Sequence, residues 1–344
     1  MTVAQNELYV YGSANMPEDD VSLTGGAVDF TKLVFFNDIT PSGTVDYVSS
    51  SASDTATIIT CTGLDGTGVS QAEAKTLTGT TPVTGSQSFE RLMKGVQTGT
   101  AQVGDIAIIA HTATISTHTA QGGSNTVAPV EPYIQLQSGD GASVAVGQIV
   151  RILNNSPAGV QFQLRRIVRI SGDFAYVNRD WGTVPTSATT YSVFQGMLFD
   201  LSPNKIAQVR RAFYNIAADV PGGSSRTYYE KVFAVNNDTA TALTQAVITK
   251  QTDPTGGTLN FALCNALNDT QTVANRLNST PPSVTAYSSG AAPQGINVPS
   301  PQNLPSGAAP NSAGAQGVWA QYVLPAGTAP AKTSATLRIT GNST

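Results

Sequence analysis

The sequence predicts an all-β, multi-domain protein of β-sandwich and barrel modules, with a C-terminal immunoglobulin-like sandwich and one short helix. Three observations carry this prediction. Charged residues make up only 12% of the 344 residues, against about 25% in an ordinary soluble domain. Thr, Ser, Gly, Asn and Ala take their place, and β-branched Thr suits the pleated face of a strand. Short apolar runs of strand length alternate with turn residues along the chain.

We expect residues 1–128 to form an N-terminal arm followed by a β domain. The segments 16–20 and Gly25-Gly26 have loop composition. The Asp65-Gly66 step is a hairpin signal between two β-branched runs. The apolar residues of 88–96 have helical spacing, but the short length fits a strand equally well. Candidate strands occupy residues 8–11, 33–36, 55–62, 69–77, 105–109 and 113–116.

Residues 129–225 are expected to form a second, small barrel-like domain. Its core is a three-strand meander, and Ser171-Gly172 forms the turn between the second and third strands. In the middle strand a period of two places Leu164 inward and Arg165 and Arg169 outward on one face. The three meander strands are predicted at residues 147–153, 161–170 and 173–178.

A helix is predicted near residues 203–218 of the same domain. Ser202 is a good N-cap, and Pro203 suits the first helical position. An apolar stripe at helical spacing follows, formed by Ile206, Val209, Phe213 and Ile216. The Gly/Ser-rich segment 221–225 is expected to end the helix and to act as a hinge.

The C-terminal part, residues 226–344, is expected to be an immunoglobulin-like β-sandwich. Short strand candidates separated by Asn, Asp, Pro and Gly turns suit that architecture. A stretch rich in Pro, Ala, Gly and Ser near 281–317 is predicted to be a flexible insertion. The strand candidates are residues 228–236, 244–249, 258–263, 318–324 and 335–339.

Composition argues against an enzyme and against a cofactor. The chain has two His and two Cys, and His111 and His118 lack the neighbours of a zinc site. Cys61 and Cys264 are expected to be buried free thiols. The net charge of −4 argues against nucleic acid as a partner. No apolar run reaches the length of a membrane span, and no signal peptide precedes the first strand, so we expect synthesis in the cytoplasm of the producing cell.

Two clusters of charged residues are candidates for subunit interfaces. The acidic cluster is formed by Glu18, Asp19 and Asp20. The basic candidates are Arg165, Arg169, Arg210 and Arg211. Each cluster has a plainer interpretation, as a solvated loop or as ion pairs with local acids. We expect the N-terminal arm, through about Asp20, to contact a neighbouring subunit.

Segments covering about a third of the chain resemble virion structural proteins of tailed bacteriophages. In residues 53–94, strand, Gly turn and strand end in Thr76-Leu-Thr-Gly-Thr-Thr, and Phe89-Glu-Arg-Leu follows. Residues 231–237, 317–330 and 336–341 are similar to the C-terminal sandwich of such proteins. The resemblance implies a non-enzymatic virion protein, with a capsid decoration protein as the favoured type. Its partners would be the major capsid protein and copies of itself, and a trimer would suit capsid three-fold positions.

Two alternatives remain open from the sequence. The first is a tail, neck or baseplate component, in which β-sandwich and barrel modules are equally common. The second is a carbohydrate-binding adhesion module that uses Trp181, Trp319 or exposed Tyr as stacking platforms. For Trp319, which lies on a candidate strand, we expect burial in the core.

Overall fold

A computed structural model describes residues 8–36, 43–126, 131–154, 162–213, 224–238, 241–252, 254–277, 287, 296–297, 314–328 and 335–343. These residues form β-strands and one turn of 3-10 helix at Asp140–Ala142. The protein is all-β, as the composition predicts. Within these ranges no helix is long and apolar enough to cross a membrane.

The strands follow one another along the whole chain. The first twelve are β1 (Leu8–Asn15), β2 (Thr24–Phe35), β3 (Val45–Ser49), β4 (Thr57–Leu64), β5 (Ser70–Thr76), β6 (Val83–Thr84), β7 (Arg91–Gly99), β8 (Ile106–Ala110), β9 (Ile115–Thr119), β10 (Gly122–Ser124), β11 (Tyr133–Gln135) and β12 (Ile149–Asn154). The remaining strands are β13 (Gln163–Ser171), β14 (Phe174–Val177), β15 (Thr190–Phe194), β16 (Gly196–Phe199), β17 (Gln208–Arg211), β18 (Arg226–Asn236), β19 (Leu243–Thr252), β20 (Thr258–Leu267), β21 (Thr272–Val273), β22 (Ile296–Asn297), β23 (Gln316–Leu324) and β24 (Thr336–Ser343).

The chain divides into two compact units. The first unit contains the described residues of Leu8–Asp38 and Arg210–Thr344, and the second contains those of Ile39–Val209. This division differs from three consecutive domains, because β1 pairs with β18, far along the chain. Most of the insertion expected at 281–317 lies outside the described residues.

The first unit is a β-sandwich. One sheet has the antiparallel order β20-β23-β18-β1-β2, with β21 on β2, and the other has the order β22-β19-β24. Apolar side chains of both sheets form one core, including Val232 and Phe261 from the first sheet and Ala246 and Ile248 from the second. Burial of this shared apolar surface holds the two sheets face to face. The finer immunoglobulin-like topology stays a prediction.

The N-terminal strand is part of this core, which corrects the hypothesis of an arm for residues 8–15. Both edges of β1 are paired, one with β18 and one with β2. Tyr9 and Tyr11 are 3% and 0% exposed. Residues 8–12 pair with β18 and residues 11–15 pair with β2, so the strand belongs to the sheet of its own unit. Gly25 and Gly26, expected in a loop, lie in β2 with positive φ angles of 99° and 93°.

The described residues of the second unit contain three runs of antiparallel paired strands. Their orders are β7-β4-β5, β16-β8-β3-β6 and β10-β11-β14-β13-β12-β15-β9. The hairpin predicted at Asp65-Gly66 joins β4 to β5, and the predicted meander is β12-β13-β14. The ambiguous segment 88–96 contributes to strand β7. Short strands and tight turns therefore lie where the sequence places them.

Strand β13 is covered on both faces, which overturns the predicted orientation of Arg165. Leu164 packs in one apolar cluster with Val48, and Ile167 packs in another with Trp181. Arg165 is only 5% exposed. The period-of-two argument assumed one solvated face, whereas a sheet buried between two layers has none.

The helix predicted at 203–218 is wrong over its described part, which ends at Phe213. The segment runs through bends into β17. Its backbone bonds other strands, since Gln97 N donates to the carbonyl of Ala207 and Ala212 N donates to that of Phe35. Ile206, Val209 and Phe213 are buried, but Arg210 between them is buried too. Ile216 lies outside the described residues. Helical spacing arose here from a strand and a bend with buried side chains on several sides.

Candidate functional site

The acidic cluster at residues 18–20 forms contacts inside the first unit. Asp19 closes its own turn, accepting hydrogen bonds from Ser22 Oγ at 2.7 Å and Val21 N at 3.0 Å. The bond from Ser22 contributes most to a lowered pKa of Asp19. Asp20 accepts from Arg276 Nη2 at 3.0 Å. Glu18 is half exposed, with Oε1 3.6 Å from Arg210 Nη1.

Arg210 forms a fully buried ion pair with Glu230. Arg210 Nη2 lies 2.6 Å from Glu230 Oε1, and neither side chain is exposed. The same nitrogen donates to the carbonyl of Pro17 at 2.9 Å, and Phe213 N donates to Glu230 Oε2. Burial raises the pKa of Glu230, against the attraction of Arg210. Arg210 is thus internal, whereas Arg211 beside it is partly exposed.

A second buried cation, Lys231, directly follows Glu230 in β18. Lys231 is 0% exposed, and its Nζ contacts Asp269 Oδ1 directly. Nζ also donates to the backbone carbonyls of Asp269 at 2.8 Å, Gly26 at 3.1 Å and Gln271 at 3.3 Å. Successive residues of a strand point to opposite faces. Glu230 and Lys231 therefore place two ion pairs on the two faces of the same sheet.

Aromatic side chains and a thiol enclose the Lys231 site. Nζ lies 5.1 Å from the ring centre of Phe233 and 5.6 Å from that of Trp319. Cys264 lies in one apolar cluster with Trp319, and burial raises the pKa of the Cys264 thiol to about 12. A Cβ at Gly25 would lie 2.8 Å from Trp319 Cη2. Glycine there lets the backbone close over the indole.

The second unit buries a larger group of charges around two aspartates. Asp105 is 1% exposed and pairs with Arg165 at 3.0 Å and with Arg179. Asp200 is 0% exposed and accepts from Asn178 Nδ2 at 2.7 Å. Its other oxygen lacks a hydrogen-bond partner among the described residues. That oxygen lies 3.9 Å from Arg166 Nη2.

This shared arrangement shifts the titration of its members. Burial raises the pKa of Asp200 to about 6, with Arg166 opposing the rise and Asp105 adding to it. Burial also lowers the pKa of Arg165 to about 10, with the neighbouring charge of Arg179 as the next cause. Asp200 therefore changes charge near neutral pH inside a closed site.

Arg169 lies on an outward aromatic face of the second unit. Its Nη2 is 2.8 Å from Glu131 Oε2, and its guanidinium lies 3.4 Å from the ring centre of Tyr176. Tyr133 stands 5.3 Å from Phe174 and 5.8 Å from Tyr176, and all three rings are half-buried. Trp181 and Trp319, by contrast, are 2% and 0% exposed. The expected core burial of Trp319 is confirmed, and neither indole forms a surface platform.

Both histidines and Cys61 have a polar side chain within hydrogen-bond distance. His111 Nδ1 lies 3.0 Å from Asp46, and His118 Nδ1 lies 2.7 Å from Asp140. Cys61 Sγ contacts Tyr47 Oη at 2.7 Å. Burial raises the pKa of the Cys61 thiol to about 12. A protonated, buried thiol is a poor nucleophile. Both cysteines are buried free thiols, as predicted. In the described ranges no three His, Cys, Asp or Glu side chains are placed to hold a metal ion.

Sequence reasoning missed the Lys231 and Asp200 sites. Adjacent charges inside an otherwise apolar run, Tyr228-Tyr-Glu-Lys-Val-Phe-Ala-Val, were the signal present for Lys231. Strand residues of that type must find buried partners, and Asp269 is 38 residues away. Asp200 has no comparable local signal.

No protein-family model, curated protein or solved structure matches the chain. Inference about function therefore rests on its own residues and geometry.

Proposed function

We propose that this protein is a non-enzymatic virion structural protein of a tailed bacteriophage. It binds the outside of the capsid and bridges neighbouring subunits. The observation behind the proposal is the internal use of charge. Arg165, Arg169 and Arg210 all pair with acids of their own unit. Because these charges are paired within the unit, the surface associates with partners through hydroxyl groups, amides and apolar area.

A protein of a viral shell acts through the area that it buries against its neighbours and not through catalysis. Packaged DNA strains a capsid, and a protein that spans the seam between capsomers adds contact energy there. Many copies with modest interfaces sum to a large stabilisation. Few surface charges also make such contacts insensitive to salt.

The segments that carry the phage resemblance are structural parts of the fold. Residues 53–94 contain β4, the turn, β5 and the start of β7, which pair as one antiparallel sheet. Residues 231–237 and 317–330 contain parts of β18 and β23, which pair in the sandwich. The resemblance thus falls on paired strands, which supports the proposal.

Copy number in purified particles tests the proposal. Quantitative mass spectrometry would count the protein against the major capsid protein, in whole particles and in heads freed of tails. We expect many copies that stay with the heads. A few copies that leave with the tail fraction would place the protein in the tail, neck or baseplate. Absence from particles would overturn the virion proposal.

Glycan binding is a second candidate, favoured by the aromatic face of Tyr133, Phe174 and Tyr176. Half-buried rings beside Gln135 and Arg169 can stack on a sugar and hydrogen-bond its hydroxyls. A glycan array would test it, with Tyr133→Ala as the variant and Val21→Ala, at a residue that is 78% exposed, as the control. Binding lost only in Tyr133→Ala would support this function, and background signal for the unchanged protein would remove it.

A further inference from the structure

We propose that Lys231 and Asp269 form an intramolecular isopeptide bond, an amide between Lys231 Nζ and Asp269 Cγ. This inference concerns a covalent modification of the first unit and does not depend on the virion proposal. It rests on the contact between the two groups, on their enclosure and on the fixed position of both.

The two groups are already in contact. Lys231 Nζ touches Asp269 Oδ1, so the nitrogen lies within reach of the carboxyl carbon. Three backbone carbonyls hold the nitrogen in place, those of Gly26, Asp269 and Gln271. Two groups held in this way react as one molecule, which replaces a collision in solution by a local rearrangement.

The Asp269 side is also fixed by the fold. Asn268 adopts a positive φ of 55°, and its backbone N bonds to the carbonyl of Ala315 at 2.8 Å. Ala315 N returns a bond to Asn268 Oδ1 at 2.9 Å, and Gln271 N donates to Asp269 Oδ1 at 3.1 Å. The carboxyl therefore sits in a braced turn that faces β18.

Enclosure favours the neutral product over the ion pair. Lys231 has no exposed surface, and the Asp269 side chain is 10% exposed. Phe233 and Trp319 lie beside the ammonium. Charges in such surroundings carry a desolvation cost that a neutral amide avoids. The apolar walls also keep water from reversing the reaction.

The reaction balances without an oxidant, a reductant or another reactant. A proton passes from the ammonium of Lys231 to the carboxylate of Asp269, which leaves a neutral amine and a neutral acid. The amine nitrogen attacks Cγ, a C–N bond forms, and the C–O bond to the hydroxyl breaks. The hydroxyl leaves as one water molecule with a proton from the nitrogen.

The bond would tie β18 to the turn after β20 across 38 residues. A covalent link of this kind restricts the unfolded chain as a disulfide does. Unlike a disulfide, an amide survives a reducing cytoplasm. The first unit would then resist heat and force without using either cysteine.

Mass spectrometry of the denatured full-length protein tests the inference. We expect a mass lower by one water molecule than the sequence gives. After trypsin digestion we expect a branched peptide that joins Lys231 to Asp269, with no cleavage after Lys231. The inference would be overturned if the measured mass equals the mass that the sequence gives and trypsin cleaves normally after Lys231. Both results must persist after long incubation of the folded protein.

Three variants give the controls. Lys231→Met and Asp269→Ala should each have the mass that its own sequence gives and should yield only unbranched peptides. Lys75→Met removes a half-exposed lysine that pairs with Glu73 at 3.0 Å, and it should keep the branched peptide. The mass of the unchanged protein decides whether the bond exists, so the test holds even if a variant fails to fold.

Discussion

The two units bury charge in different ways. In the first unit two buried cations each contact a carboxylate directly, Arg210 that of Glu230 and Lys231 that of Asp269. In the second unit Asp105 and Asp200 share a site with several arginines. Burial raises the pKa of Glu230 in the first unit and of Asp200 in the second. Arg210 donates to Glu230 at 2.6 Å, whereas Arg166 Nη2 lies 3.9 Å from Asp200. Buried carboxylates of the two units therefore differ in how closely an arginine contacts them.

The largest expected effect is the loss of the buried ion pair of Arg210 and Glu230 in the first unit. Arg210→Met leaves Glu230 buried without its main partner, which we expect to lower the free energy of unfolding by about 3–5 kcal/mol. Urea denaturation at pH 7 measures it. The double variant Arg210→Met/Glu230→Gln should recover part of the loss, since no charge stays unpaired. A double variant as unstable as the single one would contradict the pairing argument.

The half-exposed pair of Lys32 and Asp29, 3.0 Å apart in the same unit, supplies the matched control. Lys32→Met should change the free energy of unfolding by less than about 1 kcal/mol, because solvent already screens that pair.

Next in size is the pH dependence of the second unit. The pKa of Asp200 in the folded protein, about 6, lies above its ordinary value of 3.8. The folded state therefore binds the proton more tightly, and the free energy of unfolding falls as pH rises from about 4 to about 6. One pKa unit corresponds to about 1.4 kcal/mol, so the change amounts to about 3 kcal/mol. Asp200→Asn, which keeps an acceptor for Asn178, should remove it.

Urea denaturation between pH 4 and pH 8 measures this effect. The stability of Asp200→Asn relative to the unchanged protein should rise with pH and level off above about pH 7. Two parallel pH profiles would show that the pKa of Asp200 is not raised in the folded protein.

A matched pair of tyrosines compares the units directly. Tyr11 and Tyr191 are both 0% exposed. Tyr11 Oη accepts from the neutral amide of Asn237 at 3.1 Å, whereas Tyr191 Oη donates to the Asp140 carboxylate. We expect Tyr191→Phe to cost about 2 kcal/mol and Tyr11→Phe about 1 kcal/mol, because bonds to charged groups are stronger. Thermal melts of both variants test this, and the reverse order would count against it.

The smallest effect is expected at an exposed turn. Asp65 accepts from Thr67 Oγ1 at 2.7 Å and Val69 N at 3.0 Å, and these bonds, Thr67 first, lower its pKa to about 2. Its stabilisation is present above about pH 4 and is lost as pH falls through about 2. Asp65→Asn should lower the melting temperature slightly and equally from pH 5 to pH 8. A difference that grew within this range would point to another titrating group.

Local patterns predicted the strands and turns well. The Asp65-Gly66 step lies in the turn between β4 and β5, and the meander has the expected strands and order. Both signals depend on residues close in sequence, where turn chemistry and β-branching act directly. The candidate helix at 203–218 failed for the complementary reason. Its backbone partners lie on other strands, which no local window contains.

The candidate site could be predicted only in part. Sequence reasoning singled out Arg165, Arg169 and Arg210 and allowed local acids as partners. It could not name Asp105, Glu131 or Glu230, because these contacts depend on the fold. Burial on both faces of β13 was equally invisible, since a period of two does not report a second covering layer.

The central position of β1 also bears on how the protein is made. Its partner strand β18 follows about 220 residues later, so a ribosome adding about 5–20 residues per second reaches it about 10–40 s after β1 emerges. The whole of Ile39–Val209 is synthesised in that interval. The second unit can thus fold while β1 waits with an unpaired edge, exposed to other nascent chains. One edge of the first strand stays open until β18 has been synthesised, which gives a chaperone a defined period in which to act.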